Sequence, residues 1–288
     1  MPELPEVEVV RLGLLPAVTD AVIASVEVFD DRSLARHDGD SSMFEAALVG
    51  RVMQAPRRRG KFLWVPLVSP AQPGEALVVH LGMSGQVLIR EVGASPDRHV
   101  RIRFVVHSAD GNEYEIRFAD QRIFGGMAVR PVDDDGLPDQ VQHIALDPLD
   151  ARFDAEDVAR RLRRRRQSVK AALLDQQLLS GIGNIYADEA LWRARLHYLT
   201  PGQRLRRPRA LELLGHVQDV LEKALAEGGT SFDAMYVDVN GQSGYFAHSL
   251  NAYGRGGEPC PRCGTDIRRV PFGGRSSHFC PRCQRPPR

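Results

Sequence analysis

No stretch of this sequence approaches the roughly 20 consecutive apolar residues that a bilayer-spanning helix needs. The first residues, Met1-Pro2-Glu3-Leu4-Pro5-Glu6, carry acid where a secretory signal carries basic residues. The expectation is a soluble, cytoplasmic chain with no membrane partner. No internal repeat is present. Cysteine is scarce, four in 288 residues and all after residue 259, so disulfides cannot staple the bulk of the fold. Net charge is nearly absent as well, at +1. That balance hides a segregation. From Arg130 to Asp157 nine acids face two arginines, whereas from Val158 to Ala210 thirteen bases face three acids. From Arg255 to Arg288 eight arginines face two acids. Two basic blocks point to a polyanion partner; the alternative is that they form solvated helix faces.

A chain of this length suits two or three domains. Pro5 to Leu15 reads as a helix: Pro5 fits a first turn, and Val7, Val10 and Leu14 share one face. Strand patterns follow. Phe62 to Val68 and Leu77 to Leu81 are short apolar runs, and Val100, Ile102, Phe104 and Val106 alternate with Arg101, Arg103 and Val105. Tyr114 to Phe118 and Met127 to Val129 are further candidates. One helix followed by many strands predicts a sandwich or barrel up to about Arg130. The acidic stretch from Pro131 to Asp150 reads as a linker. From Ala155 the pattern turns helical, interrupted by Gly181-Ile182-Gly183-Asn184 and ended by Gly228-Gly229. Val239 to Gly244 is rich in turn formers and reads as a mobile loop.

All four cysteines form two C-x2-C knuckles, Cys260-Pro-Arg-Cys263 and Cys280-Pro-Arg-Cys283, with sixteen residues between them. This spacing fits one structural zinc ion, since four thiolates leave no open coordination position. A disulfide framework and a redox dithiol are the competing readings. Arg268, Arg269 and Arg275 lie between the knuckles and suit phosphate contacts.

The start of the chain has its own chemistry. Methionine is readily removed before a small residue such as Pro2, which frees a prolyl secondary amine. An α-amino group has a pKa of about 8, against about 10.4 for lysine, so more of it is unprotonated near neutrality. A secondary amine that condenses with a sugar aldehyde must give a charged iminium. That electron sink acidifies the adjacent C2′ hydrogens and drives elimination of phosphate. Glu3 is placed for proton transfer. By itself a Met-Pro-Glu start is more often structural.

Four motifs occur in order. Met1-Pro2-Glu3-Leu4-Pro5-Glu6-Val7-Glu8 opens the chain, and His80-Leu81-Gly82-Met83-Ser84-Gly85 lies in the β-rich half. Gly181 to Glu189 (GIGNIYADE) lies in the helical half, and the paired knuckles close the sequence. Together they resemble the bacterial formamidopyrimidine-DNA glycosylases (Fpg/Nei family) over essentially the whole chain. The resemblance implies an α+β multidomain fold: an N-terminal helix plus β-sandwich, a helical helix–two-turn–helix domain and a C-terminal zinc β-hairpin. The expected division is 1–131 for the catalytic sandwich, 132–150 for the linker, 151–254 for the DNA-binding domain with a lesion-recognition loop, and 255–288 for the zinc finger. DNA would lie in the cleft between the halves.

The same resemblance implies the roles. Pro2 is the nucleophile, Glu3 the acid/base carboxylate and Glu6 its support. Lys61 grips the phosphate near the lesion. His80 and Asn184 contact phosphate, as do Tyr253 and Arg275. Met83, Arg122 and Phe124 fill the void left by an everted nucleotide. Lys170 lies near the DNA-facing surface, and Arg160 to Arg166 supply general attraction. Several positions have a plainer alternative: Lys61 as surface charge, and His80, Met83 and Phe124 as core residues. Ser84-Gly85 and Gly125-Gly126 beside the last two favour exposed turns.

The expected activity is removal of oxidised purines (8-oxoguanine, formamidopyrimidines) from double-stranded DNA, with cleavage at abasic sites by β,δ-elimination. The expected cofactor is one structural Zn2+, and the expected state a monomer acting in the bacterial cytoplasm at the nucleoid. An endonuclease VIII-like enzyme for oxidised pyrimidines and a non-catalytic zinc DNA-binding protein are the rival readings. Leu4, where the pyrimidine-directed branch carries Gly, favours the purine branch. One departure stands out: Gln121-Arg122-Ile123-Phe124 replaces the family's frequent Pro-Arg-Arg-Phe, which puts opposite-base discrimination in doubt.

Overall fold

The computed structural model describes residues 2–68, 74–230 and 238–287. The chain divides into two compact units, Met1–His143 with Gly228–Gly244, and Ile144–Glu227 with Tyr245–Arg288.

The first unit begins with α1 (Leu4–Val18). Its N-terminus is a capping box, in which the Glu6 carboxylate accepts the Glu3 amide at 2.8 Å. Val7, Val10 and Leu14 are buried together, as the spacing predicts. Next come β1 (Val22–Val28), α2 (Ser41–Leu48), β2 (Val52–Met53), β3 (Arg57–Arg59) and β4 (Phe62–Val68). After these come β5 (Glu75–His80), β6 (Gly85–Glu91), β7 (Val100–His107), β8 (Glu113–Asp120) and β9 (Gly126–Pro131). All described strand pairings here are antiparallel, in the order β6-β8-β7-β1-β2-β4-β5-β9, with β3 on β4.

Two connections, β5 to β6 and β8 to β9, link opposite ends of this order. The sheet therefore folds over on itself as a sandwich, and α1 closes its core with Phe44, Leu63, Val79, Phe104 and Phe118. Ile102, Phe104 and Val106 point inward, in agreement with their alternation. Burial alone would raise Glu8, but hydrogen bonds from Arg11 and Arg58 outweigh it and hold the carboxyl below its usual range. The Glu8–Arg58 pair, at 2.7 Å, ties α1 to β3.

The second unit holds α3 (Ala155–Arg163), α4 (Val169–Leu174), α5 (Asn184–Arg193) and α6 (Arg207–Ala226). Asp154 caps α3 through the Glu156 and Asp157 amides, and Ser168 caps α4 through Ala171. Along α6, Leu213, Leu214, Val217, Val220 and Leu221 are buried. A hairpin of β10 (Arg268–Phe272) and β11 (Arg275–Phe279) lies between the cysteine knuckles. Among the described residues no helix is long and apolar enough to cross a membrane.

The observed division differs from the expected one at two places. The stretch 132–150 is packed rather than a solvated tether: Val141, Ile144 and Asp147 are buried. Its acids find local partners, Asp139 with Arg130, Asp133 with the Leu137 amide, and Asp150 with Arg152. The second difference is after α6: the described residues 228–230 and 238–244, assigned from sequence to the helical domain, pack with the sandwich. Val239 is buried in the first unit's core, and its carbonyl accepts the Ile89 amide at 2.9 Å. The expected mobile loop, 239–244, is a tight turn in which Asp238 Oδ1 accepts the Asn240 and Gln242 amides at 2.9 and 2.8 Å.

Candidate DNA-repair active site and DNA-contacting surfaces

In the first unit Pro2 and Glu3 are buried, at the helix N-terminus where the dipole favours a carboxylate. Met1 lies outside the described residues. Glu6, 2% exposed, is a bridge: one oxygen accepts Glu3 N, the other accepts Thr230 N, each at 2.8 Å. Its carboxylate thus holds both the start of the chain and the Thr230 amide. Residues 231–237 lie outside the described residues.

Lys61 follows Gly60 in the turn from β3 to β4 and is half-buried. His80 ends β5, paired across from Phe62 on β4, with the two rings 4.8 Å apart. Its Nδ1 accepts the Gly82 amide at 3.2 Å, which leaves the proton on Nε2. Burial, then the charges of Arg36 and Lys61, push His80 down to about 4. It is therefore a neutral donor beside two cations, a group suited to a phosphate. Arg36, exposed in the loop before α2, was missed by sequence reasoning because nothing local links it to β5.

Met83 is 40% and Phe124 52% exposed, which rules out the core reading for both. Arg122 is exposed too, and its guanidinium lies over the Phe124 ring at 4.8 Å. The three expected wedge residues are brought together on adjacent loops of the sandwich.

In the second unit, Asn184 is the first residue of α5 and its Nδ2 donates to the Ser276 carbonyl at 2.9 Å. Tyr253 is held by its amide on Glu189 Oε1 at 2.9 Å and packs its ring on His278, centroids 4.8 Å apart. Arg275 opens β11 and is exposed. Lys170 departs from expectation. It is fully enclosed, with Nζ 2.6 Å from Asp188 Oδ1 and 2.9 Å from the Ser276 carbonyl. A surface role is therefore excluded; the lysine ties α4 to α5 and to the hairpin strand beside Arg275. The arginine run is also less available than its charge suggests. Arg160 and Arg161 pair with Asp157, Arg165 with Asp175, and Arg163 donates to the Leu205 carbonyl.

Two acids inside α5 escaped sequence reasoning. Asp188 accepts Ser277 Oγ and His278 N besides Lys170, while Glu189 accepts three successive amides, Asn251 to Tyr253. Their signal was present: adjacent carboxylates in an otherwise apolar segment, GNIYADEALW, imply buried partners.

The four cysteine sulfurs lie within 4.8 Å of one another, and all four are free. Cys263 and Cys280 Sγ are 3.5 Å apart, far beyond a disulfide bond of about 2.05 Å. Tetrahedral sulfurs around zinc at about 2.3 Å are about 3.8 Å from each other. The cluster fits one structural zinc ion. Trp192 of α5 donates its indole N–H to Cys260 Sγ at 3.4 Å, and Arg262 lies 4.0 Å over the Trp192 ring. The knuckles are thereby fixed to the helical layer.

Comparison with known proteins agrees with this geometry. Residues 1–127 match the formamidopyrimidine-DNA glycosylase N-terminal domain, 144–235 the formamidopyrimidine-DNA glycosylase H2TH domain, and 257–286 the zinc finger found in FPG and IleRS. Formamidopyrimidine-DNA glycosylase of Leifsonia xyli is 56% identical, over 99% of this chain and all of its own. That of Nocardioides is 57% identical over 100% and 96%. Lactococcus lactis Fpg, solved with DNA containing an abasic site, is 30% identical and superposes with a TM-score of 0.84, covering 99% of this chain and 100% of its own. MutM (Fpg) from Thermus thermophilus is 36% identical with a TM-score of 0.82, covering 98% of each chain. With the buried Glu3–Glu6 cap, the exposed wedge residues and the four-sulfur cluster in place, the chain belongs to the formamidopyrimidine-DNA glycosylase family.

Proposed function

We propose that this chain is a bifunctional DNA glycosylase/AP lyase that excises oxidised purines, 8-oxoguanine and formamidopyrimidines, in base excision repair. The observation that carries the reading is the buried N-terminal capping box, which holds Glu3 beside Pro2 at a site where the amine is freed by loss of Met1. The Pro2 nitrogen attacks C1′ of the everted nucleotide. The N–C1′ bond forms as the glycosidic bond breaks, and the base leaves as its nitrogen takes a proton. Opening of the sugar ring, with Glu3 moving the proton to O4′, gives the iminium. Loss of a C2′ proton expels the 3′ phosphate, and loss of a C4′ proton then expels the 5′ phosphate. Water releases the sugar remnant from Pro2. A one-nucleotide gap with phosphate at both ends remains.

Lys61, His80, Asn184, Tyr253 and Arg275 hold phosphates, and Met83, Arg122 and Phe124 occupy the vacated stack. Lys170 serves this reading only indirectly, through the hairpin strand. Zinc supplies no chemistry; it closes the knuckles and so fixes the hairpin that presents Arg275. We expect a monomer, working on double-stranded DNA at the nucleoid of the bacterial cytoplasm. Strand cleavage of matched 8-oxoguanine:C and thymine-glycol duplexes tests the substrate class. Preference for 8-oxoguanine is expected; preference for thymine glycol would overturn the purine assignment in favour of the pyrimidine-directed one.

A further inference from the structure

Two loops carry the wedge residues: Leu81–Ser84, between β5 and β6, carries Met83, and Gln121–Gly125, between β8 and β9, carries Arg122 and Phe124. Nothing in the sequence joins them. In the fold they touch backbone to backbone. Gly82 has φ +61, and a Cβ there would lie 2.3 Å from Gly125 N and 2.4 Å from the Phe124 carbonyl carbon. Ile123, a β-branched residue, is held at φ +55, a conformation such side chains avoid. Strain of this kind persists only where the surroundings impose it.

The imposing group is Asp120, the last residue of β8, whose side chain is completely buried. Its Oδ1 accepts the Ser84 hydroxyl at 2.5 Å and the Arg122 amide at 3.1 Å, and its Oδ2 accepts the Gly125 amide at 2.8 Å. Ser84 Oγ in turn accepts the Arg122 amide at 3.1 Å. One carboxylate therefore clasps both loops. Asp120 is itself anchored by its main chain: its amide donates to the His99 carbonyl at 3.0 Å, and its carbonyl accepts Arg101 Nε at 2.9 Å.

We propose that Asp120 is a positioning residue for void filling, clasping the Met83 loop to the Arg122–Phe124 loop so that the three side chains enter the duplex as one preset wedge. The proposal rests on the wedge role assigned above. Its physical basis is preorganisation: two loops ordered beforehand need not be ordered during eversion. The step it serves is nucleotide eversion from a stacked duplex. Attack on an abasic sugar in single-stranded DNA involves no stack to fill and does not need the clasp.

The test compares Asp120→Asn, Ser84→Ala and Met83→Ala in the full-length, zinc-loaded protein. Asparagine keeps the shape but has one acceptor oxygen for three donors. Ser84→Ala removes one arm of the clasp and leaves the Asp120 amide contacts, so it carries the test if Asp120→Asn folds poorly. Three readouts apply: single-turnover excision of 8-oxoguanine from duplex, fluorescence of 2-aminopurine next to the lesion, and β-elimination on a single-stranded abasic oligonucleotide.

Expected is a loss of tenfold or more in duplex excision for Asp120→Asn, with a reduced 2-aminopurine signal, and a smaller loss of the same kind for Ser84→Ala. Single-strand elimination by these two variants should stay within twofold of the parent. Combined with Met83→Ala, Asp120→Asn should add less than its own effect, because both act through one wedge. If Met83→Ala slows duplex excision and the clasp variants do not, the clasp proposal is overturned and the wedge reading stands. If Met83→Ala itself is without effect, the wedge reading falls and the proposal with it. Equal losses on duplex and single strand, or full additivity, would make Asp120 a general structural residue and overturn the proposal.

Discussion

Replacing Lys170 by methionine separates a docking role from a DNA-contacting one. The ammonium is enclosed, 2.6 Å from Asp188 Oδ1 and 2.9 Å from the Ser276 carbonyl. Methionine preserves most of the stem and removes the charge, which leaves Asp188 without its cation. Removing one partner of a buried ion pair costs about 3–5 kcal/mol. Asp188 keeps the Ser277 hydroxyl and the His278 amide as donors, so the lower end, about 3 kcal/mol, is the relevant magnitude. At about 2–4 °C per kcal/mol, the second unit should melt roughly 6–12 °C lower. Scanning calorimetry measures this. DNA affinity, measured over a range of salt well below the transition, gives the second arm. Each neutralised phosphate contributes about 0.9 to the slope of log K against log salt. An enclosed lysine predicts an unchanged slope. A melting temperature within about 2 °C of the parent, with a slope shallower by about one, would refute the burial argument and put Lys170 on a phosphate.

Three further outcomes are expected. Cys280→Ser should abolish zinc uptake, measured by metal analysis, and weaken DNA affinity because the strand bearing Arg275 loses its frame; unchanged affinity would contradict a DNA-facing hairpin. His80, pushed down to about 4 by burial and by Arg36 and Lys61, should show flat ring chemical shifts between about pH 6 and 8. Because its folded value lies below the unfolded one of about 6.5, its contribution to stability is complete above that pH, falls as pH drops towards 4, and changes no further below; a midpoint near 6.5 by NMR would contradict the geometry. Glu6→Gln leaves one acceptor oxygen for the amides of Glu3 and Thr230. Hydrogen exchange at those two amides should quicken by roughly tenfold or more, the equivalent of about 1.5–3 kcal/mol for a charge-assisted bond, and unchanged protection would remove Glu6 from the bridge.

What could be read from sequence was what local periodicity and motif spacing encode. Val7, Val10 and Leu14 declared the buried face of α1, the alternation along β7 declared its inward side, and the paired knuckles declared their metal. The exposure of Met83 and Phe124 was legible from the flanking glycines. What escaped was long-range. The charges of Arg36 and Lys61 reach His80 only because the sheet returns to that point, and Lys170 meets Asp188 only because α4 packs on α5. Residues 238–244 looked like part of the helical domain because they come after α6 in the sequence, yet Val239 has an apolar socket in the sandwich core. Glu6, Asp120, Asp188 and Glu189 share one physical role. Each is a buried carboxylate that accepts main-chain amides of a segment carrying site residues, and a lone acid in a sequence does not reveal which amides it will cap.

In the proposed reaction the Pro2 nitrogen becomes bonded to C1′ of the damaged nucleotide. Borohydride reduction of the protein, processed to expose Pro2, together with an 8-oxoguanine:C duplex tests it, with the adduct digested and mapped by mass spectrometry. The expected result is a stable protein–DNA conjugate whose modified peptide begins at Pro2, and no conjugate from Pro2→Gly under conditions where that variant still binds the duplex. A conjugate mapped to Lys61 or another lysine, or none at all while the parent binds the lesion, would contradict it.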